Sequence, residues 1–162
     1  MALEAIQWTG SQLTSRHVDY LKSCPISNQA DGALLVHASP YQPDAWHYIS
    51  TAEDAREGLS YTDSDVVFIG HTHRAFIVRE KNGKSTVNEG RLKIKPSERY
   101  LVNVGSVGQP RDGDARAAFV VWDQEASELE LCRVAYDVAA AQAKIRKALL
   151  PDFLAERLSY GS

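Results

Sequence analysis

DVVFIGHTHRAF, at residues 65–76, is the segment that decides the fold of this chain. Residues 66–69 form an apolar run of β-branched and aromatic side chains bounded by Gly70, a pattern that predicts a buried strand. His71 and His73 follow immediately. If the backbone stays extended beyond Gly70, successive side chains point to opposite sides of it. The imidazoles of His71 and His73 then lie on the same side, where they can converge on one divalent ion. The segment therefore predicts a strand with two histidines at its end.

A His-x-His pair alone is compatible with two interpretations. It can supply ligands to a metal ion, or it can consist of hydrogen-bonded loop residues at the end of a strand. A third histidine, His37, follows a second predicted strand at residues 33–36. A histidine thus follows the C-terminal end of each predicted strand.

Length and composition indicate a single globular domain over residues 1–162. The net charge of -3 argues against a nucleic-acid-binding surface, because phosphate backbones are bound by clustered Lys and Arg. No window is long and apolar enough to cross a membrane, and the N-terminal residues lack a leader pattern. We therefore predict a cytoplasmic protein, with any phosphate chemistry confined to a local site.

The two cysteines, Cys24 and Cys132, are far apart in sequence, and neither belongs to a CxxC motif. Neither lies beside a histidine, which argues against a thiolate zinc site. We predict that both are reduced and buried as small hydrophobic side chains.

The remaining patterns predict short helices around several strands. Helices are predicted near the N-terminus, from Thr14 or Ser15, from a capping box at residues 50–53, from Asp137 and after Pro151. Strands are predicted at residues 76–78, 91–95, 100–104, 117–122 and 128–134, with a hairpin turn at Asn82-Gly83. We expect the strands of residues 76–135 to form a largely antiparallel sheet. Trp8 and Trp122 are predicted core residues, and His17 is predicted to be solvated.

Three of these features coincide in one known family. They are LLVHASP, which contains His37 and is followed by YI; GHTH after the strand at residues 66–69; and the glycine-rich NVGSVGQPRDGD, which begins at Asn103. Together with AIQWT and LLPDFLAERL towards the two ends, they resemble the calcineurin-like metallophosphoesterases, in particular the small prokaryotic phosphoesterase branch. The resemblance covers most of the chain.

The resemblance implies an α/β fold, the four-layer α/β/β/α metallophosphoesterase sandwich, and a hydrolase that acts on phosphate esters. In the family, two divalent ions (Mn, Fe, Zn, Co or Ni) are bound between the sheets by histidines and carboxylates. Carried over by motif, His37 and His71 would bind one ion and His73 the other. Such an ion pair lowers the pKa of water to about 7, and the resulting hydroxide attacks phosphorus in line.

The family's other ligands come from earlier Asp-x-His, Gly-Asp and Gly-Asn-His segments, and none occurs here in a matching position. The single Gly-Asp, Gly113-Asp114, belongs to the glycine-rich stretch. We therefore predict an N-terminally truncated domain without the carboxylate that bridges the ions. Because two close cations repel each other without an intervening anion, the chain alone is expected to hold one ion or none.

Three further residues are candidates around the histidines, and no catalytic acid or base is assigned. Asn103 and Ser106 are candidates to support the histidines, although this glycine-rich segment can also simply form a turn. Arg111 is a candidate to bind the substrate phosphate through paired hydrogen bonds, with an exposed ion pair as the alternative. His47 and Tyr48 either line the mouth of the site or pack elsewhere.

Three functional hypotheses follow. In the first, the chain is the C-terminal part of a metal-dependent phosphodiesterase, phosphomonoesterase or protein phosphatase. In the second, it is an inactive fragment without hydrolase activity of its own. In the third, another chain completes the half-site. Uncovered apolar strand edges also predict a homodimer or self-association.

Overall fold

The structure is a computed structural model and describes residues 2–88 and 90–162. The α-helices are α1 (Ala2–Gln12), α2 (Ser15–Ser23), α3 (Ala52–Leu59), α4 (Val138–Lys147) and α5 (Asp152–Glu156). The strands are β1 (Ser27–Ala30), β2 (Ala33–Val36), β3 (Val66–Ile69), β4 (Ala75–Lys81), β5 (Lys84–Asn88), β6 (Arg91–Lys93), β7 (Arg99–Val104), β8 (Ala117–Asp123) and β9 (Glu128–Val134). Two short 3-10 helices cover Pro43–Ala45 and Arg157–Ser159.

The larger of the two sheets has six strands in the order β1-β2-β3-β7-β4-β5. Its three strands β2, β3 and β7 are parallel, with Ala33 opposite Val66 and Val66 opposite Tyr100. The other pairings in this sheet are antiparallel. The C-terminal ends of β2, β3 and β7 therefore meet at one edge of the sheet.

The expected single antiparallel sheet over residues 76–135 is wrong. β4, β5 and β7 belong to the six-stranded sheet, whereas β6, β9 and β8 form a separate antiparallel sheet in that order. The division has a physical reason. Residues 100–103 of β7 are buried on both faces, as is usual for a central strand with a parallel neighbour, whereas β8 alternates between more and less exposed residues.

The core lies on both faces of the six-stranded sheet, in agreement with the predicted α/β class. Towards α3, side chains such as Leu59, Val67 and Leu101 form one buried cluster. Towards the three-stranded sheet, Tyr100 and Leu129 belong to a second cluster. Neighbouring residues of β3 and β7 contribute to opposite clusters because side chains alternate along a strand.

Capping explains where α2 and α3 begin. The Thr51 side chain accepts a hydrogen bond from the Asp54 N–H at 3.1 Å, and the Asp54 carboxylate accepts one from the Thr51 N–H at 2.9 Å. This box lies one residue later than the predicted one. Thr14 and His17 form the equivalent pair at α2.

Several apolar side chains near the N-terminus are exposed. The expectation that Trp8 is a core residue is wrong, because 39% of it is exposed and the apolar positions of α1 face solvent. Cys24 is also exposed and Cys132 is partly buried, so neither is the fully buried thiol expected. Trp122 does pack against Phe68, at a ring-centroid distance of 5.6 Å. Within the described residues, no helix has the length and apolar character needed to span a membrane.

Candidate metal and phosphate site

The C-terminal ends of β2 and β3 bring His37 and His71 together. The N–H of Gly70 donates to the His37 carbonyl at 2.9 Å, which ties the two strand ends to each other. The imidazole centroids are 5.2 Å apart and the rings are inclined by 69°. Two imidazoles on one ion, each with a metal–nitrogen distance of about 2.1 Å, place their centroids roughly 5 Å apart. The separation of this pair therefore matches that of two ligands on one divalent ion, and it is also that of an edge-to-face ring contact.

The backbone after β3 forms a turn and does not remain extended. The φ angle is 63° at His71 and 60° at His73, in the left-handed region, so the expected extended path beyond Gly70 is wrong. A non-glycine residue in this region costs about 1–3 kcal/mol and persists only where its surroundings hold it. The conformation of this turn, and not the alternation of side chains along a strand, determines the orientation of the two imidazoles.

The buried side chain of Asn103, on the neighbouring strand β7, holds this turn. Its Nδ2 donates to the Gly70 carbonyl at 2.9 Å and to the Thr72 hydroxyl at 2.8 Å. Its Oδ1 accepts from the Gly105 N–H at 3.1 Å. The amide is thus occupied in positioning the segment that carries the histidines.

His73 is oriented by the glycine-rich loop between β7 and β8. Its Nδ1 lies 2.7 Å from the Gln109 carbonyl, so this nitrogen carries the proton and donates it. Nε2 consequently has a lone pair available for a metal ion or another donor. The Arg111 N–H donates to the His73 carbonyl at 3.0 Å and fastens the same loop to the turn.

Burial lowers the pKa of both His71 and His73. Repulsion from His37 lowers the pKa of His71 further. For His73, a hydrogen bond to a main-chain carbonyl opposes the shift, while the charges of Arg111 and Arg157 reinforce it. Both rings are therefore neutral at neutral pH, which is the form that binds a metal ion.

Arg111 is held by an amide and not by an acid. Its Nε and Nη2 donate to the Gln109 side-chain oxygen at 3.0 and 2.6 Å. The adjacent Asp112 pairs with Arg133 instead, at 2.5 Å. In the described ranges no Asp or Glu side chain pairs with Arg111, so the ion-pair alternative is not what the structure shows.

An open groove of about 590 Å³ lies beside the three histidines, with residues of both sheets in its walls. Apart from the histidines and Ser106, its lining is mostly apolar and includes Leu35, Phe68 and Phe119. The Ser106 hydroxyl accepts two N–H groups of its own loop, at 2.9 and 3.3 Å. Ser106 thus shapes the loop at the wall of the groove.

Aromatic rings from the loop after β2 pack around the histidine pair. The Trp46 ring lies 5.1 Å from His37 and 5.9 Å from His71, and Tyr48 lies 4.3 Å from His71. Tyr48 therefore joins the site, whereas His47 turns away and stacks on a tyrosine. Sequence reasoning did not single out Trp46. The signal was the density of aromatic residues directly after the His37 strand.

The donor set is incomplete for two ions. Within residues 2–88 and 90–162, no three His, Cys, Asp or Glu side chains are arranged to hold a metal ion. Among the residues that the structure describes, none with a carboxylate lines the groove. The residues present fit one ion through His37 and His71, but they do not fit a two-ion cluster, which needs anionic ligands as well.

Comparison with known proteins connects this arrangement to one family. The profile of the calcineurin-like phosphoesterase superfamily domain matches residues 11–127. The chain is 35% identical to an uncharacterized protein of Methanocaldococcus jannaschii, over 97% of its own length and 65% of that relative's. The chain thus spans less than two thirds of this relative.

Solved structures give a consistent result. The crystal structure of a metallophosphoesterase from Sphaerobacter thermophilus matches with a TM-score of 0.88 and 37% identity, over 96% of this chain and 65% of the other. A hypothetical protein from Pyrococcus horikoshii matches with a TM-score of 0.71 and 17% identity, over 94% and 57% of the two chains. The second match shows a shared fold alone.

Proposed function

The chain belongs to the calcineurin-like phosphoesterase superfamily, and from this premise we propose that it supplies the histidine side of a metal-dependent site that hydrolyses phosphate esters. One observation carries the proposal. His37 and His71 lie at the ends of adjacent parallel strands with a centroid distance of 5.2 Å, which suits two nitrogen ligands of one ion. The substrate class is a phosphomonoester or phosphodiester.

Each histidine has a distinct role in this proposal. His37 and His71 would hold one divalent ion, and His73 would offer Nε2 to a second ion only where carboxylates from outside the described residues complete that ion's ligands. Bound divalent ions polarise a phosphate ester and lower the pKa of water to about 7. Imidazole nitrogen is compatible with Mn, Fe, Zn, Co or Ni, and availability decides among them. Asn103 holds the turn in which His71 and His73 present their rings.

The proposed reaction is tested with p-nitrophenyl phosphate and bis(p-nitrophenyl) phosphate in the presence of added manganese. We expect slow turnover, because His37 and His71 would hold one ion in place of two, and we expect His71→Ala to abolish it. The matched control is His17→Gln, which removes an exposed imidazole. Glutamine can still accept the Thr14 N–H that His17 accepts at 3.3 Å, so α2 keeps its cap.

A different result would support the alternative that this chain alone has no hydrolase activity. Absence of turnover with each of the five metals contradicts the primary proposal for the isolated chain. Equal activity of the His71→Ala variant would also contradict it, because the measured hydrolysis would then arise elsewhere.

A half-site completed by another chain is the second candidate. The apolar groove beside the histidines supports it, because Leu35 and Phe119 in its walls are 41% and 38% exposed, and no carboxylate of the described residues lines the groove. In this case specific activity rises with protein concentration. A specific activity independent of concentration would contradict completion by a second copy of the chain.

We also propose a cytoplasmic location. Cys24 and Cys132 are both free thiols in the structure, as is usual in a reducing compartment.

A further inference from the structure

A second pocket, of about 230 Å³, lies between the loop after β2 and helix α3. It adjoins the histidine pair through one shared side chain, because Tyr48 lines the pocket and its ring lies 4.3 Å from the His71 ring. None of the residues that line this pocket also lines the groove beside the histidines. The pocket is therefore a separate cavity next to the proposed metal site.

One wall of the pocket consists of aromatic rings that are already held in position. Tyr41 stacks on His47 with a centroid distance of 5.2 Å, and Tyr61 packs against Tyr41 at 4.4 Å. The His47 ring is also hydrogen-bonded to the Gln42 side chain at 3.2 Å. Tyr41 and Tyr48 nevertheless remain 36% and 62% exposed, so their rings are accessible to a ligand.

The opposite wall carries two carboxylates from α3. Asp54 and Glu57 are three positions apart on this helix, so they share a face, and both line the pocket. The Asp54 carboxylate accepts two backbone N–H groups at the start of α3, each at 2.9 Å. In the described part of the chain, no Lys or Arg pairs with Glu57, and no Lys or Arg lines the pocket. The charge of Glu57 is thus not balanced by a cation of the protein.

A buried hydroxyl completes the polar lining. Ser39 is only 3% exposed, and its oxygen accepts the Tyr41 N–H at 3.1 Å. Its own proton has no acceptor among residues 2–88 and 90–162. A buried donor without a partner is unfavourable, so an oxygen atom of a ligand in the pocket would stabilise this proton.

We propose that this pocket binds the ammonium group of an amino alcohol. A quaternary ammonium ion is attracted to the faces of tyrosine rings and needs no hydrogen bonds, so Tyr41 and Tyr48 can contact it directly. Glu57 supplies the opposite charge beside the rings. The hydroxyl or ester oxygen of the same ligand can accept the Ser39 proton. The small volume of the pocket suits such a group better than a large ligand.

The position of the pocket connects this ligand to the histidines. Because Tyr48 contacts both the pocket and His71, a ligand with a short carbon chain between its ammonium and phosphate groups can reach both places. The substrate would then be the phosphate ester of an amino alcohol. This assignment of a substrate rests on the proposed function, whereas the ammonium site itself does not.

The ammonium site is tested by titrating the full chain with choline and following NMR chemical shifts. The buffer is metal-stripped, of constant ionic strength and at pH about 8, where carboxylates are ionised. We expect saturable binding of choline. Its neutral carbon isostere, neohexyl alcohol, has the same shape without the charge and is expected to bind about tenfold more weakly.

Two variants identify the groups responsible. Glu57→Gln should weaken choline binding several-fold without changing the affinity for neohexyl alcohol, because only the charge is removed. Tyr41→Leu should weaken choline binding more than binding of the alcohol, since leucine keeps an apolar contact but has no π-face. The matched control is Glu53→Gln, which removes the same charge from the same helix outside the pocket and leaves choline affinity unchanged.

Three outcomes would each overturn the ammonium site. They are absence of saturable choline binding, equal affinity for choline and neohexyl alcohol, and an equal loss of choline affinity in Glu57→Gln and Glu53→Gln. No turnover and no added metal enter this measurement. A failure of the proposed hydrolysis therefore does not alter its result.

A second titration tests the substrate assignment. In the presence of manganese, phosphocholine should bind more tightly than choline, and His71→Ala should remove this gain while choline affinity stays the same. If choline binds but phosphocholine binds no more tightly, the substrate assignment is overturned and the ammonium site stands.

Discussion

One amide side chain, Asn103, determines how His71 and His73 are presented. The three histidines could be singled out as candidates because each follows a short apolar strand in the sequence. Their left-handed backbone was not, because neither histidine nor threonine indicates a positive φ, and the hydrogen bonds that hold the turn come from a strand some thirty positions later. The mutual approach of His37 and His71 likewise depends on strand pairing that local periodicity does not specify.

Gly105, directly after β7, has no room for a side chain. Its φ is 77°, and a Cβ would lie 2.7 Å from the Ala118 Cβ and 2.8 Å from the Ala75 Cβ. We expect Gly105→Ala to lower the free energy of unfolding by about 1–3 kcal/mol, through backbone strain and overpacking between the two sheets. Urea denaturation measures the change.

A second glycine in the same loop is the matched control. At Gly108, a Cβ would have no neighbouring atom within 4 Å, and the backbone has no positive φ. Gly108→Ala is expected to change the unfolding free energy by no more than about 0.5 kcal/mol. Equal destabilisation by both substitutions would show that the close approach at Gly105 is not the cause.

At the scale of elements, the loop between β7 and β8 is fastened by Asp112. Its carboxylate accepts the Ala75 N–H from β4 at 2.9 Å and pairs with Arg133 of β9. The sequence predicted β8 and β9 as a hairpin because their apolar residues recur locally. It did not predict this connection, since a carboxylate in a glycine-rich stretch shows no preference for a particular distant arginine.

Acid should weaken the fold partly through Asp112. Burial raises the pKa of its carboxyl, but the hydrogen bonds from Arg133 and Ala75 outweigh burial, so the pKa lies below its usual range. A carboxyl with a lowered folded-state pKa stabilises the fold fully above its unfolded pKa of about 4, and this stabilisation is lost as pH falls through the folded value. We therefore expect unfolding free energy to fall below pH about 4 less steeply in Asp112→Asn than in the wild type.

Urea denaturation across that pH range measures the difference. At neutral pH, Asp112→Asn should already be less stable by about 1–3 kcal/mol, because Arg133 loses a charged partner. Asp114, whose pKa the hydrogen bonds of Arg116 lower to about 2, adds a further acid dependence. Its carboxylate also lies 3.8 Å from Arg133 Nε, so the substitution at Asp112 changes the surroundings of Asp114 as well. Asp19→Asn, at an exposed position of α2, is the control. A parallel loss of stability in wild type and Asp112→Asn would contradict the expectation.

At the scale of the whole molecule, the α/β class and most helix and strand positions followed from local patterns. Local patterns did not predict how the strands divide between two sheets, because this division depends on which faces of each strand are covered by other elements. Strand β1 was also missed, since its sequence SNQA is polar and pairs only through main-chain hydrogen bonds with β2. The exposed apolar positions of α1 are a further difference that residue periodicity alone cannot predict.

We expect the chain to associate with itself through the groove. Ile26, Leu35 and Phe119 line it and are 52%, 41% and 38% exposed, an arrangement typical of interaction surfaces. Sedimentation velocity should show an average mass that rises with concentration, and Phe119→Lys should reduce the rise. Val134→Lys, at a residue that is 49% exposed and not part of the groove lining, is the control. A mass independent of concentration, or an equal effect of both substitutions, would contradict the expectation.

The parallel arrangement of β2, β3 and β7 also determines when the histidines can meet during folding. The hairpins β4–β5 and β8–β9 pair strands that are close in sequence. In contrast, β2 pairs with β3 through residues 33 and 66, and β3 pairs with β7 through residues 66 and 100, which are far apart in sequence. Chain entropy makes such distant pairings slower than local ones. We therefore expect the end of the sheet that carries the histidines to form after the local hairpins.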